Sequence, residues 1–169
     1  MRETAQTTAR AELAARWLQW AAGSSVFASP LLDRTGRAAG RGQPQDVWFL
    51  AGVRGGAAHR TFEVPSGRHL FCPAFSVWNS RPIALPGKAF GPVRVDGEAV
   101  RTMPIATDAV LVRGAALNPV TGSALPRRRY VAGIWAEIAA LSGGNHSVVI
   151  RGRDGRRREL AVYATIHVS

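Results

Sequence analysis

The spacing of apolar residues in this chain changes once, near Gly23, and that change constrains the fold more than any other feature. Before it, Leu13, Trp17, Leu18 and Ala21 recur at helical spacing in an Ala-rich stretch, with Thr7 or Thr8 available as a cap and Gly23 placed to end the helix. Such a helix lays an apolar stripe carrying Trp17 and Trp20 against the rest of the molecule. After Gly23 the period is two, and turn residues arrive at short intervals.

The clearest alternation lies at the C-terminus. His146–Arg151 and Leu160–Val168 flank Asp154-Gly155, and Val162, Ala164, Ile166 and Val168 alternate with Tyr163, Thr165 and His167. This predicts a hairpin with one buried face. Val93–Val95 and Ala99–Arg101 flank Asp96-Gly97, a hairpin dipeptide. Val47–Gly52 has strand length, and Arg60–Val64 and Arg68–Phe75 are strands separated by the Pro65-Ser66-Gly67 turn. Ala109–Arg113 is a further short strand, whereas Trp135, Ile138 and Leu141 fit a strand or a helical turn equally. Ser80–Pro92, rich in Gly and Pro, reads as a loop.

The prediction is therefore mainly β: a β-sandwich or jelly roll over residues 25–169, with one amphipathic helix over residues 1–24 packed on it, forming a single domain. At 169 residues the chain is long enough for a core without staples.

The formal charge of +11 invites a nucleic-acid reading. Every basic residue except Lys88 is Arg, however, and they are spread along the whole length rather than gathered with aromatics. The runs Arg127–Arg129 and Arg156–Arg158 read as solvated loop or turn charge, so a nucleic-acid partner is disfavoured. No apolar stretch is long enough to span a membrane, and the segment around Glu3 and Glu12 lacks the apolar region of a signal peptide. Cys72 is the one cysteine, which excludes an intrachain disulfide and fits a cytoplasmic protein.

The order Trp17-x-x-Trp20, Pro30-Leu31-x-Asp33-x-Thr35-Gly36, Gln43, Val47-Trp48-Phe49-Leu50-Ala51-Gly52, Arg60, Val64-Pro65-x-Gly67, Leu70-Phe71-x-Pro73 and Leu141-x-x-Gly144-x-His146 resembles a family of largely uncharacterised, often exported bacterial β-sandwich proteins. The resemblance leaves out about residues 76–130 and implies a fold without an assigned chemistry. It also implies that exported relatives carry cysteines, paired as a disulfide, where this chain has Ala39 and Phe62. The family usually has a small residue in place of His69 and a large apolar one in place of Cys72; the two positions fall on opposite faces of one strand.

Candidate chemistry is sparse. His69, at the strand parity of Phe71 and Phe75, could serve as a general acid or base if that face lines a pocket; packing as an ordinary histidine is the competing reading. Asp33 could be a base or an Asx-turn residue, and Glu63 could point into solvent or pair with Arg60. His59, His69, His146 and His167 show no metal-ligand spacing, so neither a metal nor a cofactor is expected. A Ser-His-Asp hydrolase would need a Gly-x-Ser-x-Gly elbow, which the sequence lacks.

Two functions follow. The first is a cofactor-free intracellular enzyme of specialised metabolism, of cyclase, isomerase or dehydratase type. It would act on an apolar small molecule through His69 with Glu63 or Asp33. The second is a non-catalytic binding module for a small ligand or carbohydrate that uses Trp78, Asn79, Trp20 and Phe75.

Overall fold

The computed structural model describes residues 2–169, with side chains from Ala5 onward. Helix α1 is Arg2–Ala21, so Thr7 and Thr8 lie inside it rather than capping it. No Pro or Gly interrupts residues 2–6, and the helix continues through them. Gly23 closes the other end by donating to the Trp20 carbonyl at 2.9 Å, an i→i−3 bond that needs no left-handed turn.

Ten strands follow: β1 (Val47–Phe49), β2 (Gly56–Val64), β3 (His69–Asn79), β4 (Val93–Val95), β5 (Glu98–Val100), β6 (Thr102–Ala106), β7 (Val110–Val112), β8 (Arg127–Ile138), β9 (Gly144–Arg153) and β10 (Glu159–Val168). One sheet has the order β1-β3-β8-β6, with β7 added along β8; the other runs β2-β10-β9-β4-β5. The molecule is a β-sandwich with one N-terminal helix. β1 runs parallel to β3 and β2 parallel to β10, and the remaining pairings are antiparallel.

Burial follows the alternation. Val162, Ala164, Ile166 and Val168 point inward and meet Leu70, Cys72 and Ala136 of the facing sheet. Burial pushes the Cys72 thiol up to about 12, so it packs as a small apolar group. A second core lies on the other face of the first sheet, where Trp17, Leu18 and Ala21 of α1 cover Phe49, Phe71 and Trp135. Trp135 stacks on Phe71 at 5.1 Å and receives Trp17 edge-on at 5.3 Å. Trp48 and Trp135 are both core residues.

Several local outcomes correct or complete the sequence expectations. Arg127–Arg129 is strand rather than loop, because it pairs with Val110–Val112. The ambiguous Trp135–Ile138 segment is strand as well, and β6 is an element that the sequence pattern did not reveal. Pro65-Ser66-Gly67 is the expected turn between two strands, and it carries the chain from one sheet to the other, since β2 and β3 belong to different ones. The Asp96-Gly97 hairpin forms as expected, with both residues at positive φ, 49° and 87°.

Candidate functional site

A bulge in β3 lies on the wall of a partly enclosed cleft. The β3–β8 register advances by one between Pro73 and Phe75, which leaves Ala74 as the extra residue. Pro73 pairs with Trp135 on the helix side, whereas Phe75 pairs with Ile134, which packs into the core between the sheets. Phe75 therefore does not share a face with His69 and Phe71, contrary to simple alternation from residue 69. Two glycines make room for the bulge. A Cβ on Gly152 would lie 2.0 Å from the Ala74 carbonyl oxygen, and one on Gly91 would lie 2.6 Å from the Ala74 Cβ.

Beside the bulge, β3 loses its neighbour. β1 pairs only with His69–Phe71, and after Leu50 donates to the Phe71 carbonyl at 3.0 Å the chain turns away. Arg60 holds it there. The residue is 5% exposed, and its guanidinium donates to the carbonyls of Ala51, of Gly52 at 3.3 Å, of Pro30 at 3.0 Å and of Asp33 at 2.9 Å. Burial lowers its pKa to about 10, against the attraction of Asp33, so at neutral pH it remains a cation solvated by main-chain oxygens. The planar fork of five N–H groups suits such a cluster of carbonyls.

The gap left between Gly52 and β3 is a cleft of about 360 Å³. Its walls include Trp17, Val53, Phe75, Trp78, Ile83 and Leu160, with Arg54, Arg158 and Glu159 also lining it. Register explains the charged group. Gly56 of β2 lies opposite Leu160 of β10, so Arg54 and Arg158 each precede a paired position by two residues. Trp78 is partly buried, with its ring 6.5 Å from that of Trp17.

The expected binding residues divide. Trp78 and Phe75 come together in the cleft. Trp20 lies elsewhere, its indole N–H donating to the Arg41 carbonyl at 2.8 Å and its ring tilted against Phe49. Asn79 accepts a bond from the Ser80 amide at 2.7 Å and turns the chain at the end of β3.

The three expected acid–base residues are not assembled. His69 starts β3 on the helix side of its sheet, half-buried, and lines none of the cavities described. Its charged neighbour is Asp46, whose carboxylate is engaged by Arg16 at 2.6 and 2.9 Å and held down at about 2. Glu63 is exposed on the outer face of the other sheet, opposite His167. Arg60 and Glu63 lie an odd number of residues apart on β2, so they face opposite ways and do not pair. Asp33 forms an Asx-turn, accepting from the Thr35 amide at 2.8 Å and the Ala38 amide at 2.7 Å. Burial pushes its carboxyl up, but these donors outweigh that and hold it below the ordinary value.

One grouping absent from the sequence reading resembles a hydrolytic triad. His146 Nδ1 lies 2.7 Å from Asp96 Oδ2, and Nε2 lies 3.4 Å from Ser142 Oγ. Nε2 also lies 2.9 Å from the Ser142 carbonyl oxygen, a pure acceptor. With an acceptor at each nitrogen the ring favours the imidazolium form, and the Asp96 bond raises its pKa. The Ser142 carbonyl lies closer to Nε2 than the hydroxyl does, and the group lines none of the cavities described. It is a staple between the β4–β5 turn and the start of β9.

The motif residues behind the family resemblance have the same character. Asp33 and Arg60 bind main chain as described, and the Gln43 side chain exchanges two bonds with the Phe49 main chain, each of 2.8 Å. Ala39 and Phe62 line one small cavity beside Arg60.

No family model matches the chain, and no curated protein does. Among solved structures, a solution structure of amebosin aligns at 11% identity with a TM-score of 0.29, covering 67% of this chain and 96% of that one. A likeness that low carries no argument about fold or function.

Proposed function

We propose that this protein is a non-catalytic binding module for a small, largely apolar ligand, held in the cleft at the uncovered edge of β3. The observation that carries the reading is the convergence of Trp78, Phe75 and Trp17 on one partly enclosed space, with Arg54 and Arg158 also on its lining. Its volume lies in the range of small-molecule sites, and a few polar groups beside aromatic walls are the usual means of fixing a ligand's orientation. The acid–base alternative asks His69 to act with Glu63 or with Asp33, and the separation of His69 from both does not favour it. An apolar ligand is preferred to a sugar because the Trp78 ring already leans on Trp17, leaving less open face for stacking.

The experiment is a screen of apolar carboxylic acids and amides by quenching of tryptophan fluorescence, followed by titration of the hits. Trp78→Ala weakens them by about 1–3 kcal/mol, roughly fivefold to 150-fold, the loss expected for an aromatic anchor. Hits that bind Trp78→Ala as tightly as the parent protein refute the assignment of the site.

A further inference from the structure

We infer that the cleft is a strand-addition site for the carboxyl-terminal end of a peptide. This rests on the binding-module reading and specifies the ligand. The cleft wall contains six consecutive residues of β3, Pro73–Trp78, as the edge of a strand would present them. In the sheet, β3 has only β1 and β8 as neighbours, and β1 stops at its partner Phe71. Among the described residues, no loop amide, carbonyl or side chain forms a hydrogen bond with the main chain of residues 73–78 from outside the β3–β8 ladder. Successive residues of a strand direct their N–H and C=O groups to alternate sides, so about half of those on Phe75–Trp78 face the cleft unpaired.

An extended peptide satisfies such groups by becoming the next strand, in the place that β1 would occupy had Arg60 not drawn Ala51 and Gly52 aside. Its alternate side chains would meet two different walls. One holds Trp78 and Trp17, from the helix-side core; the other holds Val53 and Leu160, from the core between the sheets. Both favour apolar residues.

The segment must be short. Pro73 has no N–H to offer, and the bulge at Ala74 breaks the ladder. These are devices that keep a free edge from recruiting a long strand. Charge indicates which end of a peptide fits. Arg54 and Arg158 are brought together by the β2–β10 register, and Glu159 is the one carboxylate on the cleft lining. A terminal carboxylate can take both guanidinium groups, as an internal peptide segment cannot.

The test uses the full chain and pools of acetylated tetrapeptides with free carboxyl termini, randomised over apolar residues, read by fluorescence anisotropy against a labelled member of the tightest pool. Amidating the carboxyl terminus is expected to weaken binding about tenfold, and Arg54→Gln/Arg158→Gln to erase that difference between acid and amide. Scanning the bound peptide with N-methyl groups should show strong losses at alternate positions and small ones between. A flat N-methyl scan, equal affinity of acid and amide, or no pool that binds at millimolar concentration overturns the inference. The outcomes separate from those of the parent reading. Apolar small molecules that depend on Trp78 still bind if only strand addition is wrong, and lose that dependence if the cleft itself is wrong.

Discussion

Replacing Arg60 with Met tests the arrangement that keeps the cleft open. Met retains much of the length and apolar volume and removes the guanidinium, leaving the carbonyls of Pro30, Asp33, Ala51 and Gly52 without their shared donor. Bonds from a charged donor contribute about 1.5–3 kcal/mol each, so four give a gross term of about 6–12 kcal/mol. Against this stands the desolvation of the cation. A pKa lowered from 12.5 to about 10 corresponds to about 3 kcal/mol at 1.36 kcal/mol per unit. Bonds within one cluster are not additive, and the freed carbonyls gain some water, so a net loss of about 4 kcal/mol is expected, near the lower end of the difference. In a chain of this size that lowers Tm by about 8–16 °C. Urea unfolding with a two-state fit reads the free energy directly. Arg60→Lys should recover less than half, because one ammonium cannot reach four carbonyls fixed around a planar fork. A loss below about 1 kcal/mol for Arg60→Met would refute the view that the guanidinium holds these loops in place.

Two further outcomes follow from the same geometry. Gly152→Ala places a methyl group 2.0 Å from the Ala74 carbonyl oxygen, where the contact is backbone and cannot swing aside, so a loss of about 2–3 kcal/mol is expected in urea unfolding; an unchanged midpoint would show that the sheets separate easily at the bulge. The His146–Asp96 pair should give a bell-shaped contribution to stability. The raised His146 pKa contributes below the ordinary imidazole value of 6.5 and is lost as pH rises through the folded value, whereas the lowered Asp96 pKa contributes above the ordinary 3.8 and is lost as pH falls through its folded value. The Tm difference between the parent and Asp96→Asn is therefore largest between those two pH values, and a difference independent of pH would remove the ion-pair account.

Much of the local structure was legible in the residues themselves. The C-terminal alternation gave the inward face of β10, and Asp96-Gly97 and Asp154-Gly155 gave their hairpins, because turn chemistry and period-two burial act over a few neighbours. The same alternation on β2 places Arg60 beside Ala58 and Val64 on the buried side, a signal for the carbonyl cluster that the Glu63 pairing obscured. Asp33 and Gln43 spend their polar atoms on main chain, which is a structural role.

What the amino-acid pattern determined, then, was a helix followed by short strands with one apolar face each, since propensity and burial period are properties of nearest neighbours. The cleft was decided only by tertiary structure. The bulge that flips Phe75 away from His69 depends on Gly91 and Gly152, distant in sequence, giving room to Ala74. The meeting of Trp78 with Arg54 and Arg158 depends on a parallel β2–β10 register, and the free edge of β3 on an arginine that draws the continuation of β1 toward another sheet. Each is a contact between segments whose spacing along the chain carries no periodic trace, so the sequence contains the partners without showing that they meet.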